Sequence, residues 1–335
     1  MQVALITDLG AITEECARVA ESIGISLTVL PPDSGGWQSA SLILLGEDVR
    51  EAPATDKADK ILVVLDDDEP SSTWARAAHL GVDQLAMLPA AAEWLSGRMI
   101  AAVEPPSAPG TTVGVVAGCG GAGASVLACA LARRAGADHS TVLVDADPLG
   151  GGLDLVLGAE AVPGPRWTDL SASRGQLRPS TLADALPRHD GLALLSWGRD
   201  DTVDLDPDVF DDFLPAAGQA FARAVVDLPR HAPPQWTRRC HHVLLVSPAR
   251  VRSAVASSQV AKRLSQAHPD VRLVVRETGA GGLDADLLAD SIGLSLAGSI
   301  RDDRGLSAAV DRGEGIPGGA HLGRLVDRLL GEWVE

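Results

Sequence analysis

A glycine-rich stretch after an apolar run carries the clearest chemistry in this sequence. The candidate nucleotide-binding residues are Gly118, Gly120, Gly121, Ala122, Gly123, Ala124, Ser125 and Val126. The spacing of Gly118 and Gly123, followed by Ser125, is that of a phosphate-binding loop between a strand and a helix. Glycines let successive backbone N–H groups surround an anion, and the helix N-terminus adds its positive dipole end. The pattern therefore predicts a site for the phosphates of a nucleotide.

The loop has lost its main cation. Ala124 stands where a phosphate loop carries the lysine that reaches the terminal phosphates. Lys262 is the only lysine after Lys60, so no lysine close in sequence replaces it. Without that charge, the transition state of phosphoryl transfer loses stabilisation of several kcal/mol in order of magnitude. We therefore expect weak or absent hydrolysis, while an arginine from elsewhere in the chain could substitute.

Carboxylates follow two further apolar runs. Asp145 and Asp147 come at the end of the run 141–144, and Asp227 ends the run 224–226. In an open α/β sheet, ligands bind outside the carboxyl ends of the strands. We therefore expect all three carboxylates beside the loop, where Ser125, Asp145 and Asp227 are candidate Mg²⁺ ligands.

These motifs together resemble the MinD/ParA class of deviant P-loop ATPases, and more closely its CpaE-like branch. The most specific motif is Asp-Ala-Asp-Pro-Leu-Gly-Gly-Gly-Leu-Asp, residues 145–154. That branch includes septum-site-determining proteins encoded near Tad-type pilus and secretion genes. The resemblance covers essentially the whole chain, because the branch also carries a degenerate receiver-like domain before its ATPase-like domain.

The resemblance implies a set of roles and ligands. Asp147 would position the attacking water, and ATP or ADP with Mg²⁺ would be the cofactors. Cys119 replaces a signature lysine that reaches across to the partner's nucleotide in dimers of this class. Two functions stay open: a spatial regulator of septum placement or of Tad-type pilus or secretion assembly with weak or lost hydrolysis, and an active Mg-ATP-dependent ATPase that cycles on a partner or membrane surface.

The same resemblance implies protein partners from the division or pilus and secretion machinery, and a homodimer. The net charge of −17 opposes unspecific attraction to DNA or anionic lipid. Only the block 230–263 is locally basic, and its residues need not share one face. The N-terminus lacks the features of a signal peptide, and no apolar run is long enough to span a bilayer. We expect a cytoplasmic protein recruited to the septum, the pole or a membrane surface, with peripheral membrane contact at most.

Alternating strand and helix patterns predict an α/β fold with two domains. Residues 1–103 show five short apolar runs and resemble a doubly wound receiver, while residues 111–335 form the P-loop domain with a mostly parallel sheet. The proline-containing segment 104–110 is the predicted linker. The receiver's phosphorylation chemistry is missing, because the third strand ends at Gly46 with Glu47 and Asp48 displaced, and Leu88 takes the place of the lysine.

Three further segments of the second domain carry predictions of their own. The acidic run 200–212 is interpreted as solvated. The resemblance implies an asparagine that recognises the base after the strand 271–275, but Arg276 and Glu277 stand there. Apolar residues at helical spacing in 322–333 predict a final helix, whose mixed charges favour docking on the sheet over membrane binding.

Overall fold

The computed structural model of the 335-residue protein describes residues 2–55, 57–65, 70–104, 110–172, 178–199, 207–279, 281–316 and 320–333. The chain forms two compact units, one of residues 1–107 with 174–178 and the other of residues 108–173 with 179–335. The domain ranges 1–103 and 111–335 stay predictions, and residues 105–109 of the predicted linker lie outside the described residues. No helix in the described ranges is long and apolar enough to cross a membrane.

The first unit is a five-stranded parallel sheet with helices on both faces. Its strands are β1 (Gln2–Ile6), β2 (Leu27–Leu30), β3 (Ala40–Leu45), β4 (Asp59–Leu65) and β5 (Gln84–Leu88), and its helices are α1 (Gly10–Ser22), α2 (Pro70–Leu80) and α3 (Ala92–Val103). The strand order is β2-β1-β3-β4-β5. This order confirms the predicted doubly wound, receiver-like arrangement.

Successive residues of a strand point to opposite sides of this sheet, and helices cover both sides, so side chains are buried on both faces. Val3 and Leu5 of β1 pack into the core that α1 and α3 cover. Ala4 and Ile6 pack into a second core, which includes residues of α2. The apolar runs of β1, β3 and β4 are therefore the central strands of the sheet, and those of β2 and β5 form its edges.

Asp48, after β3, is hydrogen-bonded to the residues that follow β1. Asp48 accepts hydrogen bonds from the Thr7 hydroxyl at 2.6 Å and from the Asp8 backbone N–H at 2.7 Å. A Cβ on Gly46 would lie 2.3 Å from the Thr7 hydroxyl oxygen, so only glycine fits at this position. The Asp48 carboxylate thus closes the turn between the ends of β1 and β3.

The second unit contains an eight-stranded sheet. Its strands are β6 (Thr111–Ala117), β7 (Thr141–Asp145), β8 (Arg188–His189), β9 (Leu192–Leu195), β10 (Arg223–Leu228), β11 (His242–Pro248), β12 (Val271–Glu277) and β13 (Ser295–Arg301). The order is β13-β12-β11-β6-β10-β7-β9-β8, and only the pair β8 and β9 is antiparallel. The mostly parallel sheet expected from the sequence is confirmed.

Ten helices of this unit lie within the described residues. They are α4 (Ala124–Gly136), α5 (Leu153–Leu157), α6 (Trp167–Ala172), α7 (Pro179–Ala185), α8 (Pro207–Ala220), α9 (Pro234–Arg238), α10 (Val251–Ala267), α11 (Ala285–Ile292), α12 (Arg304–Asp311) and α13 (Ala320–Glu332). Helix α4 packs across β6, β7 and β10. Because these strands are adjacent and parallel, the chain segments that leave their carboxyl ends meet at one edge of the sheet.

Helix α8 corrects the interpretation of the run 200–212 as solvated only in its described part, where the aspartates are exposed or half-buried but Phe210 is buried. Residues 200–206 lie outside the described residues, but Phe210 and Phe213 are fully buried in α8. The buried set Phe210, Phe213, Leu214 and Ala217 has helical spacing, and the acidic residues occupy positions between them. The segment is thus an amphipathic helix, whose apolar spacing was outweighed in the sequence by its acidic composition.

The final helix α13 docks on its own unit, as the sequence favoured. Its apolar residues, including Val326 and Leu329, are buried against α4 and β13. Arg134 on α4 bonds Asp327 at 2.7 Å, and Arg328 donates to the Ala297 carbonyl at 2.6 Å. The apolar face of α13 is therefore buried within this unit.

Candidate functional site

The phosphate loop has the backbone shape that its sequence predicts. It leaves β6 at Gly118 and enters α4 at Ala124. Gly121 and Gly123 adopt φ angles of 67° and 98°, which side-chain-bearing residues rarely adopt. Gly118 donates its backbone N–H to the Val246 carbonyl of β11 at 2.8 Å, which fixes the start of the loop to the sheet.

Gly118 is also required by a neighbouring helix. A Cβ at this position would lie 2.0 Å from the hydroxyl oxygen of Ser257 on α10. Ser257 is fully buried and donates to the Ser247 hydroxyl at 2.7 Å, so it cannot move away freely. The first glycine of the motif therefore permits close packing as well as a turn.

The two residues that replace lysines lie at the loop. Ala124 is the first residue of α4 and is 4% exposed, within the core beneath the loop. Cys119 is half-buried and packs against the same core. Both border the cavity above the loop, yet neither side chain brings a positive charge to it.

Asp145 lies behind the loop and is 2% exposed. Its carboxylate accepts from the Leu153 backbone N–H and the Ser196 hydroxyl, each at 3.0 Å, and from the Asp147 backbone N–H at 3.2 Å. Burial raises its pKa to about 6, although these hydrogen bonds favour the ionised form. Asp145 thus organises the turn that follows β7 and does not line the cavity.

Two tryptophans hold the same strand end through its backbone. The indole Nε1 atoms of Trp167 and Trp197 donate to the Asp145 carbonyl at 2.6 and 3.1 Å. Trp167 is fully buried and also contacts Phe213, with the ring centroids 5.1 Å apart. This aromatic support was not predictable from the sequence, because Trp167 lies in a proline-rich segment without strand or helix periodicity.

Asp227 lies directly at the loop. It is 6% exposed, pairs in register with Asp145 across β10 and β7, and lies close enough to Ser125 for that hydroxyl to affect its pKa. Burial is the main reason that its pKa rises to about 7; the negative charges of Asp145 and Asp147 add to the effect, and the Ser125 hydroxyl opposes it. The carboxyl and the hydroxyl therefore form one polar pair at the base of the cavity.

Asp147 is the carboxylate nearest to solvent. It is half-buried, and its Oδ1 accepts from the Leu149 backbone N–H at 3.0 Å. Its own carbonyl accepts from the Gly150 N–H at 3.0 Å, which closes a turn. The turn presents Leu149 to solvent at 82% exposure. Asp147 is thus held at the cavity by a compact turn.

A cavity of about 620 Å³ brings most of the predicted site together. Its wall contains Gly120, Gly121, Ala122, Gly123, Ala124, Ser125, Val126, Asp147 and Asp227. Gly118 and Asp145 lie outside the wall. The volume falls in the range of small-molecule sites, about 300–1,000 Å³.

The cavity also contains residues that the site prediction did not include. The polar ones among them come mostly from the carboxyl ends of β10, β12 and β13, and α12 adds apolar residues; they include Arg230, His231, Arg276, Arg301, Asp302, Asp303 and Leu306. Arg276 is notable because its Cδ lies 3.9 Å from the place of a Cβ on Gly123. Arg276 and Arg301 lie at strand ends, as the predicted aspartates do, so their positions could have indicated them from the sequence.

The site fits a nucleotide with Mg²⁺. No cluster of three or more His, Cys, Asp or Glu side chains in the described part of the chain forms a metal cage. Mg²⁺ does not need one, because it is commonly held by one or two carboxylates together with substrate phosphates and water. Ser125 and Asp227 would hold it here, and the open space above Gly120 and Gly121 leaves room for phosphates.

Three arginines of the basic block 230–263 have different surroundings. Arg239 pairs with Asp211 at 2.9 Å, and Arg263 donates to the carbonyls of His231 and Ala232. Arg230 borders the cavity. Arg239 and Arg263 are therefore bonded within this unit, and Arg230 lies at the cavity.

Known proteins resemble both parts of the chain. Residues 5–110 match the family described as "Rv3660c-like, CheY-like N-terminal domain". The chain is 33% identical over 322 residues to "Uncharacterized protein Rv3660c" of Mycobacterium tuberculosis H37Rv, covering 92% of this chain and 91% of the relative.

Solved structures with the fold of the second unit share 17–18% identity with this chain. A ParA family ATPase from Chlorobium tepidum matches with a TM-score of 0.60 and covers 67% of this chain and 99% of its own. The cell division ATPase MinD of Pyrococcus furiosus matches with a TM-score of 0.57 and the same coverage. MinD of Pyrococcus horikoshii, solved with Mg-ADP, matches with a TM-score of 0.56 and covers 65% of this chain and 95% of its own.

The two sets of matches agree with the two sheets. The full-length similarity shows the family, while the structural similarity at this low identity shows the fold. The chain therefore belongs to the Rv3660c-like family, in which it combines a CheY-like N-terminal domain with a MinD/ParA fold.

Proposed function

We propose that the protein binds ATP or ADP with Mg²⁺ at the phosphate loop and hydrolyses ATP weakly or not at all. The observation that supports this most is a complete loop backbone joined to an uncharged Ala124. The backbone, Ser125 and Asp227 provide for binding of phosphate and metal. The missing lysine removes the charge that stabilises the transferred phosphoryl group.

In the cell, the proposed role is that of a spatial regulator of the CpaE-like kind, a scaffold that positions a division septum or a Tad-type pilus or secretion apparatus. The motif at 145–154 supports the branch. The structural similarity to a cell division ATPase MinD and to a septum-site-determining MinD supports the class of process. The proposed partners are proteins of those machines, reached from the cytoplasm, and a second copy of the chain.

Calorimetric titration of ATP and ADP, each with and without Mg²⁺, tests the biochemical proposal. We expect saturable binding that Mg²⁺ strengthens, and phosphate release at least about 100-fold slower than from an intact MinD assayed in parallel. The Ala124→Lys variant should bind more tightly, because it restores the cation of the loop. Absence of binding in all four titrations would refute the proposal.

The alternative is an active ATPase that cycles on a partner or membrane surface. It is favoured by the retention of Ser125, Asp147 and Asp227 at the cavity. This alternative replaces the main proposal if the wild-type chain hydrolyses ATP at the rate of the MinD control and the Asp147→Asn variant abolishes that activity. Asp138→Asn, on the exposed surface, is the matched control.

The cellular role is tested by deleting the gene in its host. Misplaced septa with normal pili would assign the protein to division, and normal septa with lost pili or secretion would assign it to the other machine. A tagged chain should concentrate at the affected structure. An even cytoplasmic distribution with both processes unchanged would contradict a role in spatial regulation.

A further inference from the structure

Arg276 lies where a cation is missing. It is the penultimate residue of β12, paired with Pro248 of β11 and Ile300 of β13. Strand β11 in turn pairs with β6, the strand that enters the phosphate loop. This position brings the Arg276 Cδ to 3.9 Å from the place of a Cβ on Gly123, at the N-terminus of α4. The side chain of Arg276 thus lines the cavity from β12 and approaches the loop at Gly123.

The guanidinium of Arg276 is poorly satisfied within the protein. Its Nε atom is buried and has no hydrogen-bond partner in the structure. Its ion pair with Asp302 is long, 4.0 Å, and the side chain is only 30% exposed. A buried donor without an acceptor is unfavourable, so an anion that supplied one would be stabilised there. Arginine is well suited to this, since its planar fork binds phosphate oxygens in pairs.

The other arginines at the cavity are less suited to the same task. Arg301 is 67% exposed and lies 3.7 Å from Glu277, while Arg230 is exposed. Exposed cations are screened by water and salt, whereas a largely buried one acts more strongly at short range. Among the cavity arginines, Arg276 is therefore the one whose charge is concentrated beside the loop.

We propose that Arg276 binds the phosphates of the nucleotide and replaces, from β12, the cation that Ala124 and Cys119 no longer supply to the phosphate loop. The inference rests on the proposed function, because it concerns the same cavity. It adds that the site recognises a polyphosphate through an arginine from another strand, so the loop binds its ligand despite the lost lysines.

Calorimetric titration of pyrophosphate, tripolyphosphate, ADP and ATP into the full chain tests this proposal, with adenosine as the uncharged probe. Arg276→Gln should weaken binding of every phosphate ligand by about 10- to 100-fold. It should leave any adenosine binding unchanged. Arg301→Gln is the matched control, since it removes an equal charge from the same cavity, and it should change affinity by less than about threefold. Circular dichroism and melting curves establish that both variants are folded.

A double variant gives the sharper test. If Arg276 and a loop lysine serve the same phosphates, Ala124→Lys should raise affinity more in the Arg276→Gln background than in the wild type. Equal losses from Arg276→Gln and Arg301→Gln would mean that only overall charge matters and would overturn the proposal. A selective loss of adenosine binding would place Arg276 at the base and also overturn it. If the wild type binds nucleotide and Arg276→Gln binds equally well, this inference fails while the proposed function stands; if the wild type binds no phosphate ligand, both fail.

Discussion

The Ser125 hydroxyl lies beside the buried carboxyl group of Asp227, at the place where the start of α4 meets the end of β10. The hydroxyl favours the ionised carboxylate. Burial and the neighbouring aspartates oppose ionisation more strongly, which leaves the pKa of Asp227 at about 7. The loop is therefore built around an acid that titrates close to neutrality.

The raised pKa predicts that Asp227 makes the ligand-free protein less stable in base. A carboxyl whose folded pKa exceeds its unfolded value, about 3.9, contributes stability that is full below that value and is lost as the pH rises through about 7. Asp227→Asn removes this loss and still offers an oxygen to Ser125. We expect the variant to be more stable than the wild type at pH 8, by about 2–4 kcal/mol at most, and by a clearly smaller margin at pH 5, where only part of the loss has occurred.

Urea unfolding at both pH values, without nucleotide or metal, measures this difference. Asp138→Asn is the control, because the exposed Asp138 pairs with Arg134, which holds its pKa below the usual range. That variant should gain no stability at pH 8. A wild-type protein as stable as Asp227→Asn at pH 8 would show that the Asp227 charge carries no penalty.

Gly118→Ala should destabilise the second unit. The added Cβ would lie 2.0 Å from the hydroxyl oxygen of Ser257, which is buried and bonded to Ser247. Overpacking of this kind typically costs about 1–3 kcal/mol. Gly120→Ala is the control, because a Cβ there meets open space. Thermal melting should separate the two variants, and Ser257→Gly should recover part of the loss in Gly118→Ala. Equal melting temperatures for both alanine variants would contradict the predicted collision.

The first unit should not accept a phosphoryl group. Gly46 follows its third strand, Leu88 stands in place of the lysine, and Asp48 is already bonded to Thr7 and Asp8. Incubation with small phosphodonors should leave the intact mass unchanged, with an unrelated active receiver as the positive control. An acyl-phosphate adduct on Glu47 or Asp48 would show that this prediction is wrong.

Any dimer of this protein should form without nucleotide. The family resemblance implies that a signature lysine reaches the partner's nucleotide, and Cys119 cannot do so. Light scattering after size exclusion should give the same mass with no addition, with ADP and with Mg-ATP. Cys119→Lys, alone and with Ala124→Lys, tests whether the lost charges explain this. A wild-type chain that dimerises only with ATP would contradict the prediction.

The elements that build the loop were predictable because their signals are local. An apolar strand, glycines at fixed spacing and a small-residue helix adjoin each other in 113–135, and Asp145 and Asp227 each end an apolar run. Parallel pairing then brings those ends together, as the register of Asp227 with Asp145 shows.

Other features depended on contacts between distant segments. Arg276 ends a strand as many solvated arginines do, and only its approach to Gly123 distinguishes it. Trp167 supports Asp145 from an irregular segment without periodicity. In α8 the pattern was present, but the aspartates around Phe210 and Phe213 dominated its composition.

The two indoles that bond the Asp145 carbonyl have an optical consequence. The sequence contains seven tryptophans and no tyrosine, so the ultraviolet fluorescence of the protein is almost entirely indole emission. Trp167 of α6 and Trp197, which follows β9, belong to the buried aromatic group and donate to the carbonyl of Asp145 at the end of β7. A shift in the backbone at that strand end would alter the hydrogen bonds of both chromophores. The protein thus contains an intrinsic spectroscopic reporter next to its phosphate loop, without the need for a label.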